Sequence, residues 1–190
     1  MIKQNKTLVL PAALLIAAAA FTRLFPHYPN FTAVGAMAIF AGSVVKDKKL
    51  SFLLPLGALF LSDVCLQLFT FTKGFYGISQ FFVYAAFLII TALAGFIQKR
   101  SVANIALAAV WSGAVFFILS NFGVWLSSDF YPKTFAGLGA CYWASIPFYK
   151  NDFFGNFVLN SIMGTAFYSA ILFGAYAMFE RKVTTRKVIA

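Results

Sequence analysis

Acidic residues are scarce in this chain. Aspartate and glutamate together number 5 among 190 residues, against 15 lysines and arginines, and charged residues of every kind make up only 11%. That charge is too sparse for the surface of an ordinary soluble domain. Histidine occurs once, as His27, so general acid–base catalysis lacks its usual groups and no enzyme is expected; the one enzymatic alternative would use Cys65 or Asp63. With no Cys, Asp or Glu at ligand spacing around it, His27 also makes a poor metal ligand, and neither metal nor cofactor is expected. Two cysteines, Cys65 and Cys141, are too few for a disulfide framework. G-x-S-x-G, H-E-x-x-H and Walker A sequences are all missing, so ATP is not hydrolysed by the Walker route. Gly137-Leu138-Gly139 has neither the third glycine nor the preceding strand of a dinucleotide fingerprint.

What the chain has is apolar length. Hydrophobic residues make up 62%, phenylalanine alone appears 25 times, and the mean hydropathy is +0.85. These values describe an integral membrane protein, and the size suits a single transmembrane domain over residues 1–190. Apolar runs fall at 7–25, 31–45, 50–71, 77–97, 102–126 and 153–179. Five reach the roughly 17–20 residues a crossing helix needs, and the second is short. Its Gly35 and Gly42 predict a thin, closely packed helix. Lys3 and Lys6 followed by an apolar run resemble a secretory signal, but we read this segment as a retained first helix.

Charge placement sets the expected orientation. With six spans and both termini cytoplasmic, the inner side collects Lys3, Lys6, Lys46, Lys48, Lys49, Lys99, Arg100, Arg181, Lys182, Arg186 and Lys187, which is 11 of the 15 basic residues. Arg23, Lys73, Lys133 and Lys150 remain outside, as the positive-inside rule requires. A net charge of +10 dispersed between apolar runs reads as orientation, not as a nucleic-acid surface. Localisation in a bacterial inner membrane is the matching expectation.

Inner connections are short and charged, whereas outer ones are aromatic and carry Pro, Asn and Gly. The longest outer interval, within 120–156, holds Trp125, Tyr131, Tyr142, Trp143 and Tyr149. Such a segment is either an interfacial belt or the wall of a binding site, and we favour the site. Asp63 is the least expected residue, lying roughly 20 Å into a hydrocarbon layer about 30 Å thick. A carboxylate at that depth either lines a polar cavity or makes a structural bond, for instance to Arg23. Gln67 falls one turn above it. Tyr76, Gln80 and Tyr84 share a face of the fourth helix; Asn121 and Trp125 sit at the outer end of the fifth; Asn156, Asn160, Gly164 and Tyr168 form a stripe on the sixth. Most lie in the outer halves of their helices, which favours a site over scattered interhelical glue. The candidate solute contacts are therefore Arg23, His27, Asn30, Asp63, Gln67, Gln80 and Asn121, with Trp125, Tyr131, Tyr142 and Trp143 stacking and residues 127–150 as lid. Ala13 and Ala17 form a small-x-x-x-small pair suited to close helix contact.

Several strings carry a family likeness. They are Arg23, Pro26-His27-x-Pro29-Asn30-Phe31-Thr32, Pro55, Ser62-Asp63, Asn121-Phe122-Gly123-Val124-Trp125-Leu126, Tyr131-Pro132-Lys133-Thr134 and Ile146-Pro147-Phe148. Over nearly the whole chain this pattern resembles an uncharacterised bacterial family labelled as membrane transport proteins. That family is in turn similar in size and topology to the S-components of energy-coupling factor (ECF) transporters. The resemblance implies an all-α bundle of six transmembrane helices that captures a small, vitamin-like solute under outer loops. It also implies a transmembrane coupling subunit with ATPases as partner, contacted through Ala13 and Ala17. The alternative is a non-transporting scaffold whose aromatic outer loop docks another protein.

Overall fold

A computed structural model describes residues 8–70, 72–146 and 156–189, of which 184 and 186–189 by backbone alone. Lys3, Lys6, Pro147, Tyr149 and Lys150 lie outside the described residues, as do the side chains of Arg186 and Lys187. Seven α-helices and no strand occur among the described residues: α1 (Val9–Phe21, extended by a 3-10 turn, Thr22–Leu24), α2 (Val34–Val44), α3 (Lys48–Phe69), α4 (Ser79–Ala94), α5 (Val102–Ser127), α6 (Phe135–Ala144) and α7 (Phe157–Ile189).

Side-chain caps set several helix starts. Asp47 accepts from the Leu50 amide at 3.0 Å, Ser101 from Asn104 at 3.2 Å, Thr134 from Gly137 at 3.1 Å and Asn156 from Leu159 at 2.9 Å. Each satisfies an amide that the first helical turn leaves without a partner.

The bundle is built around α2, which packs against α1, α3, α4, α5 and α7. Every residue from Val34 to Ala41 is buried. Small residues permit this: a Cβ at Gly35 would collide with the Thr165 hydroxyl, and one at Gly42 with the Thr91 carbonyl oxygen. The close packing expected of the second helix is therefore present. Its helical part is shorter still than the apolar run 31–45. At 11 residues α2 spans about 16 Å, well short of a hydrocarbon layer.

Among the described residues three helices are long and apolar enough to cross a membrane: Lys48–Phe69, Val102–Ser127 and the Phe157–Val183 part of α7. Val9–Leu24, Val34–Val44 and Ser79–Ala94 are apolar but shorter. The outer surface exposes Leu10, Leu14, Leu53, Leu61, Phe81, Leu107 and Ile118, a spread of large apolar side chains that water would not tolerate but lipid tails would.

The basic connections gather at one end. Lys48 reaches to Gly95, and Arg100 pairs with Glu180 at 3.1 Å. Residues 23–32, 72–78 and the segment carrying α6 make the opposite end.

Candidate functional site

Asp63 sits on α3 and is fully buried. Both of its oxygens are engaged. Oδ1 pairs with Arg23 Nη1 at 2.6 Å, while Oδ2 accepts from Gln80 Nε2 at 2.8 Å and from the Tyr84 hydroxyl at 2.6 Å. Gln80 and Tyr84 are one turn apart on α4, so a single helical face delivers both donors. Arg23 arrives from the 3-10 turn after α1; its Nη1 also donates to Ser62 Oγ and, at 3.5 Å, to the Leu59 carbonyl. Ser62 in turn donates to Leu59 O at 2.7 Å. A charge at this depth needs such partners, since an uncompensated one would be severely destabilising. Asp63 thus makes the structural bond to Arg23 that the sequence offered, and it also borders a cavity.

The cavity is a hollow of about 770 Å³ at the end away from the basic connections. Arg23, Asp63, Gln80 and the threonines Thr32, Thr70 and Thr72 give it polar groups, with Leu59, Leu66, Val83, Phe87 and Phe116 as apolar walls. His27, Pro29, Asn30 and Tyr76 border it, His27 and Tyr76 being exposed. Asn30 takes a left-handed backbone conformation, φ 61°, which asparagine tolerates better than most residues. Its side chain donates to Phe157 O at 3.4 Å, and Asn160 donates to Pro29 O at 2.9 Å. The polar stripe on α7 thus holds the 28–32 turn in place: Asn156 caps the helix and Asn160 ties down the loop.

A second chamber of about 290 Å³ lies beyond Phe116, bordered by Asn30, Ser120, Asn121, Ser145 and Ser161. A void of about 20 Å³ sits between the two, and Asn30 and Phe116 line all three. The Phe116 ring stacks on Phe87 at 5.5 Å. Asn121 Nδ2 donates to Phe117 O at 2.9 Å, and its oxygen accepts from the Ser145 hydroxyl at 2.5 Å.

Arg23, His27, Asn30, Asp63 and Gln80 thus meet around one hollow, and Asn121 borders its neighbour. Gln67 does not join them: it is exposed, and its Oε1 accepts from the Gly74 amide at 3.2 Å, holding the chain at Gly74. The four aromatic residues expected to stack line neither chamber. Trp125 donates to Pro132 O at 2.9 Å, with Lys133 5.9 Å above its ring and bonded to the carbonyls of Trp125 and Ser128. Tyr142 donates to Ile118 O at 2.8 Å and packs against Phe117. Tyr131 is half-buried away from both chambers, and Trp143 is 76% exposed. The physical reason is the set of α6, which buries Gly137 and Cys141 and leaves Trp143 outward. Burial raises the Cys141 thiol pKa, opposed by milder pulls from the Trp125 backbone and Lys133.

Aromatic walls come instead from Phe87 and Phe116, which no sequence signal separates from the other phenylalanines. Tyr84 and Ser62 complete the polar cluster; Tyr84 was legible through its spacing from Gln80. Ala13 and Ala17 line a separate apolar groove of about 500 Å³ between α1 and α3, together with Cys65. Among the described residues no three His, Cys, Asp or Glu side chains gather to hold a metal ion.

Comparison with known proteins matches residues 3–187 to the model of a family of unknown function, DUF6580. No curated protein and no solved structure matches the chain. With that match running over nearly its whole length, the chain belongs to family DUF6580.

Proposed function

We propose that this protein captures a small solute from outside a bacterial inner membrane for uptake, as the substrate-binding subunits of ECF transporters do. In this reading all six apolar helices span, α6 lies in the long outer loop between the fifth and sixth, and both termini are cytoplasmic. The positive-inside rule supports that orientation, because Lys46, Lys48, Lys49, Lys99, Arg100, Arg181 and Lys182 belong to the connections at one end. The observation that carries the reading is the 770 Å³ hollow at the other end, where the Arg23–Asp63–Gln80–Tyr84 cluster meets apolar walls from Leu59, Leu66, Val83, Phe87 and Phe116. The sequence has no Walker motif, so inward release would draw on a partner such as a coupling subunit with ATPases, for which the α1–α3 groove at Ala13 and Ala17 is a candidate seat.

Native mass spectrometry of protein purified gently from its own host tests this. A co-purifying small molecule is expected, and it should be lost or bound more weakly in Val83→Trp, which pushes a ring from the wall into the hollow. A scaffold reading is favoured by one observation, the exposure of Phe130, Phe135 and Trp143 around α6. A scaffold would hold no small molecule and would be indifferent to Val83→Trp.

A further inference from the structure

We infer that the solute is an organic anion, a carboxylate on a largely apolar or aromatic body, received by the free edge of Arg23. This deepens the capture reading and rests on it. All the hydrogen bonds of Arg23 run through Nη1, to Ser62, Asp63 and the Leu59 carbonyl. Among the described residues nothing bonds Nη2 or Nε, although the side chain is only 15% exposed and lines the hollow. A guanidinium presents five N–H donors in a rigid fork, and Nε with Nη2 forms the side-on pair that matches the two oxygens of a carboxylate.

Asp63 supplies the complementary argument. Among the described residues it is the sole acidic one bordering the hollow, and both its oxygens are already taken by Arg23, Gln80 and Tyr84. A cationic solute would therefore find no free carboxylate among the described residues there and would meet the Arg23 charge instead. Asp63 is a positioning residue: it fixes Nη1 and so holds the other edge of the guanidinium in place. Other polar groups are partly spent. Gln80 donates to Asp63, and the Thr70 hydroxyl donates to Leu66 O at 2.7 Å. The walls of Leu59, Leu66, Val83, Phe87 and Phe116 suit an apolar body.

Full-length protein in lipid nanodiscs would be titrated with indole-3-acetate, indole-3-acetamide and tryptamine, which share one ring and carry charges of −1, 0 and +1. The acetate should bind at least ten-fold tighter than either other probe. Arg23→Lys keeps a charge beside Asp63 but removes the side-on pair, and should abolish that preference while the protein elutes as wild type. Asp63→Asn loosens the Nη1 anchor and should lower acetate affinity while keeping acetate ahead of the amide and the amine; where this variant misfolds, Arg23→Lys carries the test alone. Equal or tighter binding of the amide or amine overturns the assignment, as does a preference that survives Arg23→Lys. A co-purifying organic acid supports it. A co-purifying neutral or cationic molecule overturns it while solute capture stands. If wild type binds no probe and no molecule of any class co-purifies, capture itself fails, and the assignment with it.

Discussion

The buried pair of Arg23 and Asp63 should behave as a unit, and a double-mutant cycle measures this. Arg23→Met leaves a fully buried carboxylate facing only the neutral donors Gln80 and Tyr84. Asp63→Leu leaves the guanidinium with Ser62 and the Leu59 carbonyl alone. Each single change strands a charge in a low-dielectric setting and should cost about 3–5 kcal/mol. The double variant strands none. Its remaining loss is the acceptor for Gln80 and Tyr84, at about 1 kcal/mol for each bond, so it should sit about 2 kcal/mol below wild type. The coupling energy is then at least about 4 kcal/mol. Reversible unfolding in mixed micelles, followed by helical circular dichroism, reads all four proteins. Single variants costing under about 1 kcal/mol, as exposed ion pairs do, would refute the reasoning. So would a double variant whose loss equals the sum of the singles.

Three further outcomes follow from the packing. Gly42→Ala should destabilise by about 1–3 kcal/mol, because its Cβ meets the Thr91 backbone. Gly57→Ala, with open space around it on α3, should be neutral or stabilise by up to about 1 kcal/mol, and the same unfolding assay compares the two. Cys141 should react slowly with a water-soluble maleimide at neutral pH, because it is buried and its raised pKa leaves little thiolate; rapid labelling of folded protein, read by mass shift in a Cys65→Ser background, would contradict its placement. In a background without native cysteines, Lys73→Cys should label from outside intact cells and Lys48→Cys only after permeabilisation, and the reverse pattern would invert the proposed orientation.

The polar cluster was legible because helical spacing carries it. Asp63 is conspicuous in an apolar run, and Gln80 with Tyr84 advertises one face at four-residue spacing. Arg23 was one of the bond partners open to Asp63, although sequence alone could not choose between that pairing and reaching the headgroups. The aromatic loop was misleading for an equally physical reason. Composition identifies rings suited to stacking, but their direction depends on how α6 sets down against α5, a tertiary matter with no periodic signature. Trp125 and Tyr142 were spent on the carbonyls of Pro132 and Ile118, and Trp143 faces outward. Phe87 and Phe116 were hidden by number, since a chain with 25 phenylalanines gives no reason to single out two. Gln67 shows the limit of the four-residue rule: it follows Asp63 by one turn, yet the return of the chain at Gly74 takes its side chain away.

The hollow itself traces to the shortness of α2. Helix α3 runs about 33 Å and α5 about 39 Å, whereas the helix at the centre of the bundle runs about 16 Å. A central helix that stops short leaves the outer parts of its neighbours with nothing to pack on. Val34, the first residue of α2, borders the hollow, and above it residues 25–33 cross as irregular chain. Irregular backbone at membrane depth is tolerated only where protein or a water-filled cavity surrounds it. Here Asn160 satisfies the Pro29 carbonyl, and the Thr32 amide bonds Asn30 O at 3.0 Å. Lengthening α2 by a turn at its N-terminus would put helix where the hollow is and would displace Asn30 from both chambers. On this reasoning the glycine- and alanine-rich helix that carries no candidate solute contact is what makes room for the residues that do.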